Sequence, residues 1–387
     1  MLKMQTAFTT EIDDAVAAVA DILSQLDLTQ LKKNSVGILS CNWEFPGTGA
    51  PEALTAALPF DIIGCTAMGC ATERGYGFEQ LSLCVLTSDD VSFSVALSEE
   101  ITPDCAEGPI RECYGDARAR LPRDPSLMFV FGPISADISG EVYVKTLDGV
   151  SGGVPMFGTL SSETNLTYEN ARVLYNGATH RSRLALLLIS GEVSPRFYTT
   201  AISDRNITRK NAVVTESDGY VLKKINDMPV GEYLVSIGVT RDDVAAVFSL
   251  PILIDYKDGA APVAMTLYSQ NDDSALCGVY TPVGSEIAFA EVDYNSVLDT
   301  VQTTLDAVLA DNEKHGASAM FLVPCLSRSL VISPNSEDEM AKTAELLGDR
   351  YPYLFMYSGG EICPSVTEDG RTVNRFRNLT YTIMVLE

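Results

Sequence analysis

Histidine is nearly absent from this chain: His180 and His315 are the only two in 387 residues. None of the nine cysteines forms a Cys-x-x-Cys pair, so the usual donor sets for zinc are missing and neither a metal site nor a cofactor is expected. Bases are scarce too, with 27 Lys and Arg against 52 Asp and Glu, a net charge of −25. Negative charge spread along the whole chain repels nucleic acid and anionic membrane surfaces. Long apolar runs are also missing. The run at 184–189 is among the longest, far short of the roughly 18 residues a membrane-spanning helix needs, so no membrane insertion is expected. The opening MLKMQTAFTTEIDD lacks the apolar stretch and small-residue cleavage site of an export signal, which points to a cytoplasmic protein with reduced thiols. There is no glycine-rich loop ending in Gly-Lys-Ser/Thr, no His-Glu-x-x-His, and no Gly-x-Gly-x-x-Gly after a strand.

With 46% hydrophobic and 20% charged residues, the composition is that of an ordinary globular protein, long enough for two domains or one body of two related halves. Ile12, Val16, Val19 and Leu23 recur at helical spacing and predict an amphipathic helix over 11–26, capped by Thr10 with Asp13. Buried strands are expected at 35–41 and 60–66. LSLCVLTS (81–88) and VSFSVALS (91–98) read as adjacent strands joined at Asp89 and Asp90. The same order returns with SLMFVFGP (126–133), a helix over 141–147, VPMFGTL (154–160) and two further strands. It returns again with SAMFLVPC (318–325), a helix over 337–347, YLFMYSGGE (353–361) and LTYTIMVLE. A different region of alternating strands, 218–291, lies between the second and third copies, and a well-marked helix over 296–312 follows it. The expected fold is therefore α/β (mixed α+β): repeated strand-helix-strand-strand-strand units in mixed sheets covered by helices, divided into modules 1–217 and 218–387.

Three segments combine a strand end, a glycine and polar neighbours: 62–72, 156–165 and 356–364. Ligands settle outside strand ends in such folds, where backbone amides are free. The third has company, because PCLSRSL (324–330) brings Cys325, Ser327 and Arg328 to the same edge. Arg328 could hold a carboxylate or phosphate through paired hydrogen bonds, the alternative being a surface ion pair with Glu337 or Glu339. If it serves a ligand, Arg328→Ala should abolish binding and leave the unliganded stability nearly unchanged. Glu361, beside Gly360, could receive an ammonium group, and Arg328 with Glu361 would suit a zwitterion. Asn378 and Thr380 could add neutral hydrogen bonds.

IIGCTAMG, PCLSR, MYSGGEICP and RFRNLTYTIMVL together resemble the FIST sensory proteins across nearly the whole chain, the last two through a GE-x-x-P … F-x-N-x-T pattern. By that resemblance Cys325, Arg328, Gly360, Glu361, Pro364, Phe376, Asn378 and Thr380 occupy motif positions. Cys70 departs from a more usual Gly-Glu pair, and Arg377 stands where histidine is frequent. The resemblance implies an N-terminal and a C-terminal FIST module, a small polar ligand with amino-acid-like compounds among the candidates, and a separate kinase or chemoreceptor-type signalling partner. The competing expectation is a cysteine- or carboxylate-dependent enzyme on a small substrate, for which His180 and His315 are the only histidine bases.

Overall fold

The computed structural model describes residues 2–165, 167–238, 251–270 and 274–387. Three successive stretches of chain follow one order: strand, helix, strand, helix, strand, a two-stranded arm, strand. The first comprises β1 (Lys3–Thr9), α1 (Ala15–Gln25), β2 (Asn34–Cys41), α2 (Ala50–Ala57), β3 (Ile62–Thr66), the arm β4 (Cys70–Thr72) and β5 (Gly75–Gly77), and β6 (Leu81–Ser88). The second comprises β7 (Ser92–Leu97), α3 (Glu107–Ala119), β8 (Leu127–Gly132), α4 (Gly140–Ser151), β9 (Met156–Leu160), the arm β10 (Val173–Tyr175) and β11 (Ala178–His180), and β12 (Ala185–Ser190). The third starts with β13 (Pro195–Thr200) and is interrupted by an insertion that carries α5 (Val230–Ser236). It resumes with α6 (Tyr294–His315), β14 (Ala319–Pro324), α7 (Leu326–Val331), α8 (Asp338–Leu347), β15 (Tyr353–Met356), the arm β16 (Glu361–Ile362) and β17 (Phe376–Arg377), and β18 (Tyr381–Leu386).

The strands form three six-stranded sheets with orders β1-β6-β2-β3-β10-β11, β7-β12-β8-β9-β16-β17 and β13-β18-β14-β15-β4-β5. Each sheet has one parallel pair at its centre (β2/β3, β8/β9, β14/β15), flanked by antiparallel pairs. Every unit lends its arm to a neighbour. The first unit's arm completes the third sheet, the second unit's completes the first, and the third unit's completes the second. The mixed, helix-covered sheets of the sequence reading are present, and the repeat runs three times.

The inner faces of all three sheets share one core, which includes Ile38, Ile63, Phe129, Phe157, Phe321, Leu354 and Met384. The Phe129 and Phe321 rings meet edge-on at 4.7 Å. Each outer face lies under its own unit's helices, as Leu39 does under Ile22 and Leu54. Strands covered on both faces read as unbroken apolar runs instead of alternating ones. Each large side chain so buried contributes about 1.5–3 kcal/mol. Gly64 and Gly158 occupy matching places in β3 and β9, where an added Cβ would lie 1.8 Å from Leu39 O and 2.1 Å from Val130 O.

Several local expectations are corrected. α1 is capped by Asp14, whose Oδ1 accepts from Val16 and Ala17 N–H, and Val16 itself is 78% exposed while Ala18 and Ile22 are buried. β6 and β7 are neighbours in sequence but lie in different sheets, because the chain turns from one wall to the next at Asp89–Asp90. The helix α3 was not anticipated; Gly108, Pro109 and Gly115 depress its propensity, and the burial of Ile110, Cys113 and Ala117 offsets that. Among the described residues the insertion is an eight-stranded antiparallel sheet from Ile207–Asp218 to Glu286–Ala290. The expected module division at 217/218 falls at the end of its first strand, and residues 239–250 and 271–273 of the strand region expected at 218–291 lie outside the described residues. α6 has the expected course, with an Asp293/Ser296 capping box and Gly316 at its C-terminus.

Candidate functional site

The three strand-to-glycine segments meet where β3, β9 and β15 end. Ser162 N–H donates to Thr66 O at 2.9 Å, and Gly359 N–H to Leu160 O at 3.0 Å. The third contact runs through a hydroxyl: Met68 N–H donates to Ser162 Oγ at 3.1 Å, and Ser162 Oγ donates to Tyr357 O at 2.8 Å. At this junction the three units differ in what they bury.

In the third unit β14 ends at Pro324, and Cys325 N–H donates to Thr380 O at 3.0 Å. Ser358 N–H donates back to Pro324 O at 2.8 Å, which aligns the crossing segment beside Cys325. Ser358 Oγ accepts from Thr159 Oγ1 at 2.8 Å and from Gly360 N–H at 2.9 Å. Gly360 is required here, since a Cβ would lie 2.5 Å from the Phe376 ring. Glu361, the first residue of β16, is fully buried; its Oε2 accepts from Thr380 Oγ1 at 2.8 Å and Thr380 N–H at 3.2 Å. Its Oε1 has no partner. Burial pushes the Glu361 carboxyl up to about 8, against the opposing pull of Thr380, the Cys325 thiol and Arg328. The same burial, together with Glu361, raises the Cys325 thiol well above its ordinary value.

The sequence-selected residues thus divide. Cys325, Gly360, Glu361 and Thr380 come together, and the Ser327 hydroxyl bonds to the Cys325 thiol. Arg328 points elsewhere. Its Nε donates to Glu339 Oε1 at 2.7 Å and its Nη2 to Thr300 Oγ1 at 2.8 Å and Val297 O at 3.1 Å, with both charged side chains fully buried. The partner is one of the two carboxylates considered from sequence, but the pair is buried and not a surface one. Arg328→Ala is therefore not a neutral probe, because it would strand the Glu339 charge. Arg328 Nη1 has no partner. Asn378 is buried next to the insertion, its N–H donating to Ala264 O at 3.1 Å. Arg377, which occupies the other departure from the motif, is buried and donates to Ser365 Oγ and Cys363 O.

In the first unit Cys70 takes the place of Glu361. Its thiol donates to Gln80 O at 3.4 Å and Ser40 O at 3.7 Å and accepts from Ser82 Oγ at 3.3 Å, a neutral and satisfied group. In the second unit sequence reasoning passed over Glu163 and Tyr168. Glu163 is fully buried, with Oε1 accepting from Asn170 N–H at 3.0 Å and Oε2 unpartnered. No register signal marked it: SSET (161–164) places its Glu one residue earlier than SGGE (358–361) does, in line with Gly360. Among the described residues no group of three or more His, Cys, Asp and Glu is placed to hold a metal ion. No helix there is long and apolar enough to cross a membrane.

The FIST N domain matches residues 35–228 and the FIST C domain residues 230–364. The chain belongs to the FIST family. FIST domains are associated with sensory signal transduction. No curated protein matches this FIST chain in sequence. Its fold is similar to a crystal structure of cyanuric acid hydrolase from A. caulinodans, at 10% identity and TM-score 0.37, covering 100% of this chain and 99% of that one. It is also similar to a second cyanuric acid hydrolase, described as an evolutionary innovation by structural concatenation, at 9% identity and TM-score 0.30, covering 76% of this chain and 100% of that one.

Proposed function

We propose that this FIST protein is a cytoplasmic sensory binding protein for a small polar ligand, taken up beside Glu361, Cys325 and Thr380 and reported to a separate output partner. One observation carries the reading: in a fully buried carboxyl, Oε1 has no hydrogen-bond partner of normal geometry, although the neighbouring Cys325 thiol is close enough to pull on the group. A buried polar group left unpaired costs about 1–3 kcal/mol, and a fold with no use for it would replace it, as the first unit does with Cys70. A ligand donor would supply the missing bond. Ser327, Gly360 and Asn378 flank the same strand ends.

The test is a thermal-shift screen against amino acids, amines, organic acids and polyols. A ligand at about 100 times its Kd adds about 2.7 kcal/mol to native stability, so the melting temperature rises. Glu361→Gln should remove the largest shift. If no compound moves the melting temperature, the binding role is lost.

A carboxyl that titrates near 8 beside a thiol also suits acid–base chemistry, so a carboxylate-dependent enzyme is the second reading. A Cys325 nucleophile is disfavoured because its thiol is held protonated by burial. Turnover of any compound found in the screen, lost in Glu361→Gln, would favour the enzyme.

A further inference from the structure

We propose that Arg377 and Arg375 form a second binding site, for a small oxyanion (a carboxylate or a phosphate), in the seam between the third unit's arm and the insertion. The site is separate from the one read beside Glu361 and does not depend on it.

In the arm, Glu361 lies opposite Arg377 and Ile362 opposite Phe376, and Cys363 N–H donates to Arg375 O at 3.1 Å, which carries the ladder one pair further. Side chains alternate along a strand, so Phe376 goes to one face of the arm and Arg375 and Arg377 to the other. Phe376 enters the core that it shares with Ile362 and the insertion's Val263 and Met265. The insertion borders this end of the arm. Asn378 N–H donates to Ala264 O at 3.1 Å, Arg375 pairs with Asp258, and the Arg375 guanidinium lies 5.0 Å from the Tyr256 ring centre.

Arg377 is 3% exposed, and its hydrogen bonds go to neutral groups: Nη2 to Ser365 Oγ and Nε to Cys363 O at 3.4 Å. Among the described residues no carboxylate forms an ion pair with it. Arg328, just as buried, has Glu339 as its counter-charge, so the fold does match a buried arginine where the arginine is structural. A buried charge without a partner is costly, and with 52 acids in the chain a carboxylate partner was readily available. Burial lowers the pKa of Arg377; Cys363 opposes that, and Arg375 lowers it further.

Arg375 supplies a second unmet donor. Its Nη2 is taken by Asp258, while its buried Nε has no partner. Both guanidinium groups pull on the Tyr256 hydroxyl, against burial and Glu141, so both lie within electrostatic reach of one ring. Two cations thus share one carboxylate, and what is left over donates. The missing partner is an acceptor with negative charge, which a guanidinium holds through parallel charge-assisted hydrogen bonds. An ammonium would be repelled here, and a neutral amide would leave the charge unmet. The Arg375 side chain is 17% exposed, which opens the seam to solvent on its side.

The test titrates the full chain calorimetrically, at fixed ionic strength, with inorganic phosphate and succinate beside succinamide and putrescine. At least one anion should bind, the stronger of the two naming its source, and the neutral and cationic probes should not. Arg377→Met should weaken anion binding at least about tenfold, the scale on which a buried charged contact is lost. In anion-free buffer the same variant should melt no lower than wild type, because it removes an unmatched charge; a merely structural arginine would melt lower. Arg371→Gln, an exposed arginine in the adjoining hairpin, should bind anions as wild type does. Should Arg377→Met fail to fold, Arg375→Gln serves, and the comparison of succinate with succinamide needs no variant. Binding of neither anion, equal binding of succinamide, or anion binding indifferent to both arginines overturns the proposal and leaves the Glu361 reading untouched. Anion binding lost in Glu361→Gln overturns it as a separate site.

Discussion

Arg328 and Glu339 form a fully buried ion pair, Nε to Oε1 at 2.7 Å, that ties α7 to α8 and, through Thr300 and Val297, to α6. Tyr357 adds a bond to Glu339 Oε2 at 3.1 Å, and the guanidinium lies 5.4 Å from the Tyr381 ring centre. Burial pushes the Glu339 carboxyl up, while Arg328 and Tyr357 pull it back down. Removing one partner leaves an uncompensated buried charge. Arg328→Ala should therefore lower the unfolding free energy by about 3–5 kcal/mol in urea titrations, while Arg328→Met combined with Glu339→Leu should recover most of that loss. A wild-type midpoint in Arg328→Ala would show the pair to be unimportant.

Glu361 sets a pH dependence whose sign follows from its burial. Its carboxyl lies near 8 in the native protein against an ordinary value of 4.5, with Cys325, Arg328, Cys363 and Arg377 as its charged or titratable neighbours. Between those values the native state holds a proton that the unfolded chain has released. This contribution to stability is complete below about pH 4.5 and is lost as pH rises towards 8. Wild type should thus lose on the order of a few kcal/mol relative to Glu361→Gln across that window, at most about 1.4 kcal/mol per pH unit. Parallel urea curves at several pH values measure it; a constant difference between the two proteins would show that Glu361 titrates normally.

Thiol reactivity should be confined to one residue. Cys105 is exposed and the other eight cysteines are buried. Burial raises the thiols of Cys65, Cys325 and Cys363, the last up to about 11, so little thiolate exists at neutral pH. Iodoacetamide on the folded protein should label Cys105 alone, and Cys105→Ser should abolish rapid labelling. Fast modification of Cys325, detected by peptide mass mapping, would restore the thiol-enzyme reading.

Two glycine substitutions should have opposite effects. Gly158→Ala drives a methyl group into the Val130 backbone carbonyl and should cost about 3 kcal/mol or more. Gly115 sits on the exposed side of α3 with nothing near its missing side chain, so Gly115→Ala should stabilise by about 0.5–1 kcal/mol. Thermal melts of both variants decide the matter.

Much of the fold was legible because its signals are local. The apolar runs of β2, β8 and β14, the apolar spacing of α6 and the glycine endings of the crossing strands depend on residues within a few positions of each other. The motif around Glu361 was legible for the same reason, and it brought out Cys325, Gly360 and Thr380 correctly as neighbours. Short arms such as β16, with two residues, carry no periodicity to detect. Val16 was misread because the helical phase set by Asp14 turned it outwards.

The sequence by itself determined the element types, the repeated order, the acidic charge and the membership of the residues around Glu361 in one motif. The exchange of arms among three units was decided only in the tertiary structure, since pairing such as Glu361 with Thr159 joins strands far apart in the chain. So was the partner of Arg328. A guanidinium can reach any nearby carboxylate, and packing of α7 against α8 chose Glu339. The burial of Glu163 beside the same junction has the same origin, because a carboxyl's exposure depends on what the rest of the chain lays over it.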